Sequence, residues 1–157
     1  MPMSTAPYIR ITRKPYEEPY HLNLVMEASN GKLKWEMEYY VNAESLVKWA
    51  EGLEVFPRHK DDVFLWETGS EHPEDRGAYY FQFRVFTTDV AGHCAIQLRF
   101  NNNQNLPNRE VAEFCIRAEA AQINRLGRLC RRFAELKHVI LEWEGSDGRL
   151  HEKEASG

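Results

Sequence analysis

From Leu33 onward the chain alternates strictly, with Leu33, Trp35, Met37, Tyr39 and Val41 set against Lys34, Glu36, Glu38 and Tyr40. A period of two belongs to a β-strand, whose successive side chains point to opposite faces. One apolar and one wet face also specify the kind of sheet. A strand buried on both faces reads as continuous apolar sequence, so this one belongs to an antiparallel sheet covered on one side. Just upstream, Leu22, Leu24, Met26 and Ala28 repeat the pattern. Ser29-Asn30-Gly31-Lys32 lies between the two runs, and Asn and Gly tolerate the positive φ that a hairpin turn requires.

A second hairpin follows. Tyr79, Phe81, Phe83 and Val85 alternate with Tyr80, Gln82, Arg84 and Phe86; the chain turns at Asp89-Val90-Ala91-Gly92 and returns through Cys94, Ile96, Leu98 and Phe100. Residues 110–117 form a further strand, with Ala112, Phe114 and Ile116 against Glu113 and Cys115. Residues 8–13 read as an edge strand before the Pro15/Pro19 segment, residues 63–67 as a short strand, and Val139, Leu141 and Trp143 as a last one. Two segments carry helical periodicity. Asn42 is placed to cap the first, whose stripe is Leu46, Trp49, Ala50 and Leu53 and which ends by Pro57. Ile123, Leu126, Cys130 and Phe133 form the stripe of the second.

These elements predict an α+β fold, a largely antiparallel sheet of about six to eight strands with two helices on one face. Residues 20–53 and 93–133 both run strand, turn, strand, short link, helix. This order is read either as a duplicated ββα unit or as the ordinary recurrence of hairpins and helices in such folds. At 157 residues the chain fits one domain, expected over residues 1–144, with a polar tail over 145–157 in which Asp147-Gly148 can turn a weak hairpin.

Composition narrows the function classes. No run approaches the ~20 apolar residues that span a bilayer. The first residues lack a basic start followed by an apolar stretch, so a cytoplasmic location is expected. Three cysteines, Cys94, Cys115 and Cys130, are odd in number and widely spaced, which argues against a disulfide framework or a zinc site and predicts buried thiols. The net charge of −4 is uneven. Residues 1–80 hold nine Lys/Arg and fourteen Asp/Glu, a balance of −5, whereas the rest balances at +1. A mildly acidic chain lacks the concentrated basic face that nucleic acid selects.

Catalytic patterns are weak. Asp89 and His93 lie four apart across a turn, where an Asp can orient a His, but turn chemistry explains both and no nucleophile in a known context accompanies them. None of the six histidines pairs at HxH or HxxxH spacing. Glu71-His72-Pro73-Glu74-Asp75 reads as a solvated loop before a cation site. Gly69, Gly77 and Gly92 are isolated turn residues that match no phosphate loop. Arg125, Arg128, Arg131 and Arg132 read as the exposed side of a helix facing neighbouring acids. Neither a metal nor another cofactor is expected.

The wet face of the sheet stands out. By alternation it displays Glu36, Glu38, Tyr40, Tyr80, Gln82, Arg84, Phe86, Gln97 and Arg99. Rings and arginine among acids match the make-up of protein interfaces, although cross-strand pairing of the rings would also account for them. Phe83-Arg84-Val85-Phe86-Thr87-Thr88-Asp89 with Gly92-His93, followed by Ile123-Asn124-Arg125-Leu126-Gly127, resembles a loosely defined family of small bacterial proteins. The Ala28-Ser29-Asn30-Gly31 hairpin and the Phe56-Pro57 helix exit fit the same likeness, which covers residues 20–136. Proteins of this look occur among the immunity proteins of bacterial toxin systems, and the likeness assigns no site residues. The expectation is a non-enzymatic protein-binding domain, immunity-like in role, whose partner meets Glu36, Glu38, Tyr40, Tyr80, Arg84 and Phe86. A self-associating structural protein and a small-ligand binder or enzyme with a pocket between sheet and helices are the alternatives.

Overall fold

Among the described residues, alternation builds nine strands and the 3.6-residue stripes build two helices. A computed structural model of the chain describes residues 6–15, 21–75 and 77–152. The elements are β1 (Tyr8–Lys14), β2 (Leu22–Ser29), β3 (Lys34–Val41), α1 (Ala43–Glu54), β4 (Val63–Gly69), β5 (Tyr80–Thr87), β6 (Cys94–Asn101), β7 (Val111–Ala118), α2 (Ala120–Phe133), β8 (Ile140–Glu144) and β9 (Gly148–His151). The α+β, antiparallel character read from the sequence is present, with the strands divided between two sheets. One sheet has five strands in the order β3-β2-β1-β8-β9, and the other has four in the order β4-β5-β6-β7. By its contacts the chain forms two compact units, one up to Phe56 and from Ala120 onward, the other Pro57–Glu119.

In the first unit the core face of the five-stranded sheet carries Ile9, Ile11, Leu24, Met26, Met37, Tyr39, Leu141 and Trp143, all buried. Each such side chain contributes about 1.5–3 kcal/mol by leaving water. α1 and α2 pack on each other, and α2 is fastened to β8. Trp143 Nε1 donates to the Gln122 carbonyl at 2.8 Å, and Gln122 Nε2 donates to the Gly145 carbonyl at 2.7 Å. Asn42 caps α1, its Oδ1 accepting from Ser45 N at 2.9 Å, and Leu46, Trp49, Ala50 and Leu53 are the buried residues of that helix. All four were on the predicted stripe.

Two expectations are corrected here, for the strand at residues 8–13 and for Leu33. The strand at residues 8–13 is central, hydrogen-bonded to β2 on one side and β8 on the other. The partner arrives from the far end of the chain, so no local pattern announces it. Arg13 falls on the core face of β1 yet is buried, because its guanidinium donates to the carbonyls of His138 at 3.0 Å and Leu136 at 3.1 Å in the turn after α2. Leu33 lies in the turn before β3 and is exposed, so the apolar alternation begins at Trp35. The Asp147-Gly148 hairpin does form, pairing β9 with β8. Residues 16–20, with Glu17-Glu18 and Pro19, and the tail from residue 153 lie outside the described residues.

The repeated order extends further than ββα. β1-β2-β3-α1-β4 and β5-β6-β7-α2-β8 are the same series. Buried positions correspond in order: Ile9 with Phe81, Ile11 with Phe83, Met37 with Phe114, Leu46 with Ile123, Trp49 with Leu126, Ala50 with Gly127 and Leu53 with Cys130. The closing strands are exchanged. β4 joins the sheet of β5, and β8 joins the sheet of β1.

In the second unit Phe81, Phe83, Val85, Ile96, Leu98, Phe114 and Ile116 share one buried face. Gly69 ends β4 at φ +78°, and a Cβ there would stand 1.9 Å from the Tyr79 carbonyl oxygen. Only glycine closes the 70–79 loop in this way. Asn103 fixes the loop further, donating to the carbonyls of Ser70 at 2.9 Å and Gly77 at 3.2 Å.

Candidate functional site

The six residues predicted to meet a partner fall on two outer faces, one per sheet. Glu36, Glu38 and Tyr40 share the outer face of β3, an edge strand of the five-stranded sheet. Tyr80, Arg84 and Phe86 share the outer face of β5 in the four-stranded sheet.

On the first face Tyr40 is 53% exposed and its hydroxyl donates to Glu38 Oε1 at 3.0 Å. Glu36 stands directly opposite Glu27 on β2. Like charges so placed oppose each other, and the surroundings relieve only one of them. Glu27 takes the Tyr8 hydroxyl, Arg10 Nη1 at 3.3 Å and Lys34 Nζ at 3.8 Å. Burial, followed by that bond to Glu27, pushes the Tyr8 phenol up to about 12. Arg10 continues across the row to Glu142, with Nη2 at 3.1 Å, and His151 Nε2 meets the other Glu142 oxygen at 2.5 Å. Arg10 and His151 hold the Glu142 carboxyl below its ordinary range against the effect of its own burial. A cavity of about 150 Å³ opens beside this row, lined by Tyr8, Arg10, Glu142 and Glu144 among others. The centre of the face is therefore neutralised internally. Its margin is not: Glu36, Glu38 and Glu144 have no salt bridge among the described residues.

The second face is apolar and cationic at one side. The Arg84 guanidinium lies 4.5 Å from the Phe86 ring centroid and Nη1 donates to Gln97 Oε1 at 3.1 Å. Leu65, Arg84, Gln97 and Cys115 form one row, and Val63, Phe86, Ala95 and Arg117 form the next. Tyr80 does not join this display, which corrects the alternation reading. It is only 7% exposed, and its hydroxyl donates to Glu67 Oε2 at 2.6 Å. Burial and that bond raise its phenol strongly. Tyr8 and Tyr80 hold matching places in the repeat, and each ties the start of its strand to a glutamate. Arg99 is likewise engaged, gripping Glu71 with two bonds at 2.9 and 2.6 Å, so Glu71 is occupied by a guanidinium. Cys115 is exposed, correcting the expectation of three buried thiols, whereas Cys94 and Cys130 are buried. Its position opposite Gln97 is on the wet face. Burial raises the Cys115 thiol, as it does those of Cys94 and Cys130, which leaves none activated as a thiolate.

The Asp89–His93 turn forms, with Asp89 Oδ2 at 2.7 Å from His93 Nδ1 and Glu119 Oε1 at 3.6 Å from Nε2. Asp89 raises the His93 pKa, favouring the imidazolium. Both ring nitrogens thus face carboxylates, Nδ1 that of Asp89 and Nε2 that of Glu119. On α2, Arg131 binds Glu54 at 2.7 Å and Arg125 Nη1 donates to the Gly145 carbonyl at 3.1 Å, so two of the four arginines are spent within the unit. Among the described residues no group of three His, Cys, Asp or Glu is placed to hold a metal ion, and no helix is long and apolar enough to cross a membrane.

Sequence reasoning missed Glu27, Arg10 and Glu142, the charged row across the first face. Alternation within residues 8–13 and 22–29 does place Arg10 and Glu27 on the wet side; what it lacks is the β1–β8 pairing that brings Glu142 beside them. No protein-family model matches the chain, and no curated protein or solved structure matches it.

Proposed function

We propose that this chain is a non-enzymatic binding domain for a partner protein with a basic surface, acting in the manner of an immunity-type inhibitor. The observation that carries the reading is the margin of the five-stranded sheet. Edge strand β3 offers Glu36 and Glu38, without counter-ions among the described residues, beside a half-exposed Tyr40, while the interior of the same face is neutralised. Uncompensated carboxylates at a sheet edge steer a cationic partner, and an exposed tyrosine supplies the ring that anchors interfaces. Arg84 and Phe86 are the second candidate contact, on the other sheet.

The experiment is to purify the chain with each protein encoded beside it and measure binding by calorimetry and stopped flow. A Glu36→Lys/Glu38→Lys/Tyr40→Ala variant is expected to bind about 100-fold more weakly, a loss of about 2.7 kcal/mol. The association rate of the unaltered chain should fall steeply with added salt. Undiminished binding by the triple variant would rule out this face. Loss on Arg84→Ala/Phe86→Ala instead would move the contact to the second sheet.

A further inference from the structure

We infer that β4 is a self-pairing edge, through which two copies of the chain join their four-stranded sheets into one continuous antiparallel sheet. Three observations carry it. The first is the repeat. β4 and β8 hold the same place in the two series, each following its helix and closing a sheet. Beyond β8 lies β9, antiparallel to it. Beyond β4 the four-stranded sheet has no further strand among the described residues. The same scaffold position is thus covered by an antiparallel strand in one sheet and ends the other.

The second observation is what the edge displays. End strands ordinarily discourage pairing with lysine, proline, charge or shortness. β3 shows Lys34, Glu36 and Glu38, β7 shows Glu113 and Arg117, and β9 has four residues. β4 runs Val-Phe-Leu-Trp-Glu-Thr-Gly, with neither lysine nor proline; its one charge, Glu67, accepts from the Tyr80 hydroxyl, and its outward Val63 and Leu65 are 41% and 49% exposed. Phe86 and the Arg84 stem lie beside them on β5, extending the apolar strip.

The third is self-complementarity, which selects a second copy as the occupant. With a two-fold axis at Leu65, an antiparallel β4 pair sets Leu65 against Leu65 and Val63 against Glu67 of the other copy. Such an isologous contact places no like charges opposite one another and closes at two subunits. It also gives β4 the antiparallel neighbour that β9 gives β8.

The test is sedimentation equilibrium of the full chain from low to high micromolar concentration. The unaltered chain is expected to dimerise, and Leu65→Lys to raise the dimer dissociation constant at least about tenfold. Val111→Lys, a similarly exposed change on edge strand β7, should leave it unchanged. A second variant guards against misfolding. In a Cys115→Ser background, Leu65→Cys should form a disulfide-linked dimer on mild oxidation, because residues facing each other across an antiparallel pair come close enough to bridge. A monomer at every concentration overturns the inference, as does a dimer that survives Leu65→Lys or fails to cross-link through Leu65→Cys.

Discussion

Asp62 sits between the exit of α1 and the start of β4, 3% exposed and ringed by donors. It accepts from Arg58 N at 2.9 Å, from Arg58 Nε at 3.0 Å and Nη2 at 2.9 Å, and from Val63 N at 2.9 Å. The Arg58 side chain is the main cause of a carboxyl pKa lowered from 3.8 to about 2. A depressed carboxylate stabilises the fold fully above its unfolded pKa. The contribution drains away as pH falls through the folded value, because the unfolded chain takes up the proton first. Asp62→Asn should therefore cost about 1–2 kcal/mol near neutral pH, discounted because the Arg58 side chain is largely in water. The gap between the two proteins in urea unfolding should close between pH 4 and pH 2. Equal stability at neutral pH would show that the carboxylate is not fixing this corner. No local sequence signal marks Asp62, since acids are ordinary in loops and its neighbour Asp61 is exposed.

At the scale of elements, the pairing of α1 with α2 turns on a missing methyl group. A Cβ at Gly127 would stand 2.7 Å from Glu54 N and 3.0 Å from the Leu53 carbonyl carbon, both backbone atoms that cannot swing aside. Gly127→Ala would gain up to about 1 kcal/mol of helix propensity and lose about 1–3 kcal/mol to overpacking. The expected outcome is a lower melting temperature, read by circular dichroism; a rise would mean that the helices part without cost. This contact also shows what the pattern of a single element omits. The stripe Ile123, Leu126, Cys130, Phe133 is legible from spacing alone and is buried as expected. The same spacing puts Gly127 on that face, but it does not say that the α1 backbone comes within reach of a Cβ there. The same limit explains Tyr80 and Cys115. Alternation puts each on the wet side of its strand. It cannot say that the first is buried with its hydroxyl bound to Glu67 while the second stays open.

For the whole molecule, the exchange of closing strands makes the far end of the chain a structural part of the first sheet. β8 pairs with β1, and Leu141 and Trp143 are fully or nearly fully buried. A chain ending at residue 137 would lose both side chains and leave β1 as a bare edge. Removing a large buried side chain costs about 3–5 kcal/mol, against a total stability of about 5–15 kcal/mol. The truncated chain should fail to give a cooperative thermal transition; one that melts like the full chain would mean that the first sheet stands without β8. Element type, hairpin turns, helix caps and the wet and greasy sides of most strands follow from the amino-acid order alone. They depend on backbone conformation and on period, both local properties. Tertiary structure alone decided that there are two sheets, that β1 is central and that Glu142 comes beside Arg10. Each of these is a pairing between segments distant along the chain. Such pairings are chosen by how buried faces fit together in space, which no stretch of neighbouring residues encodes.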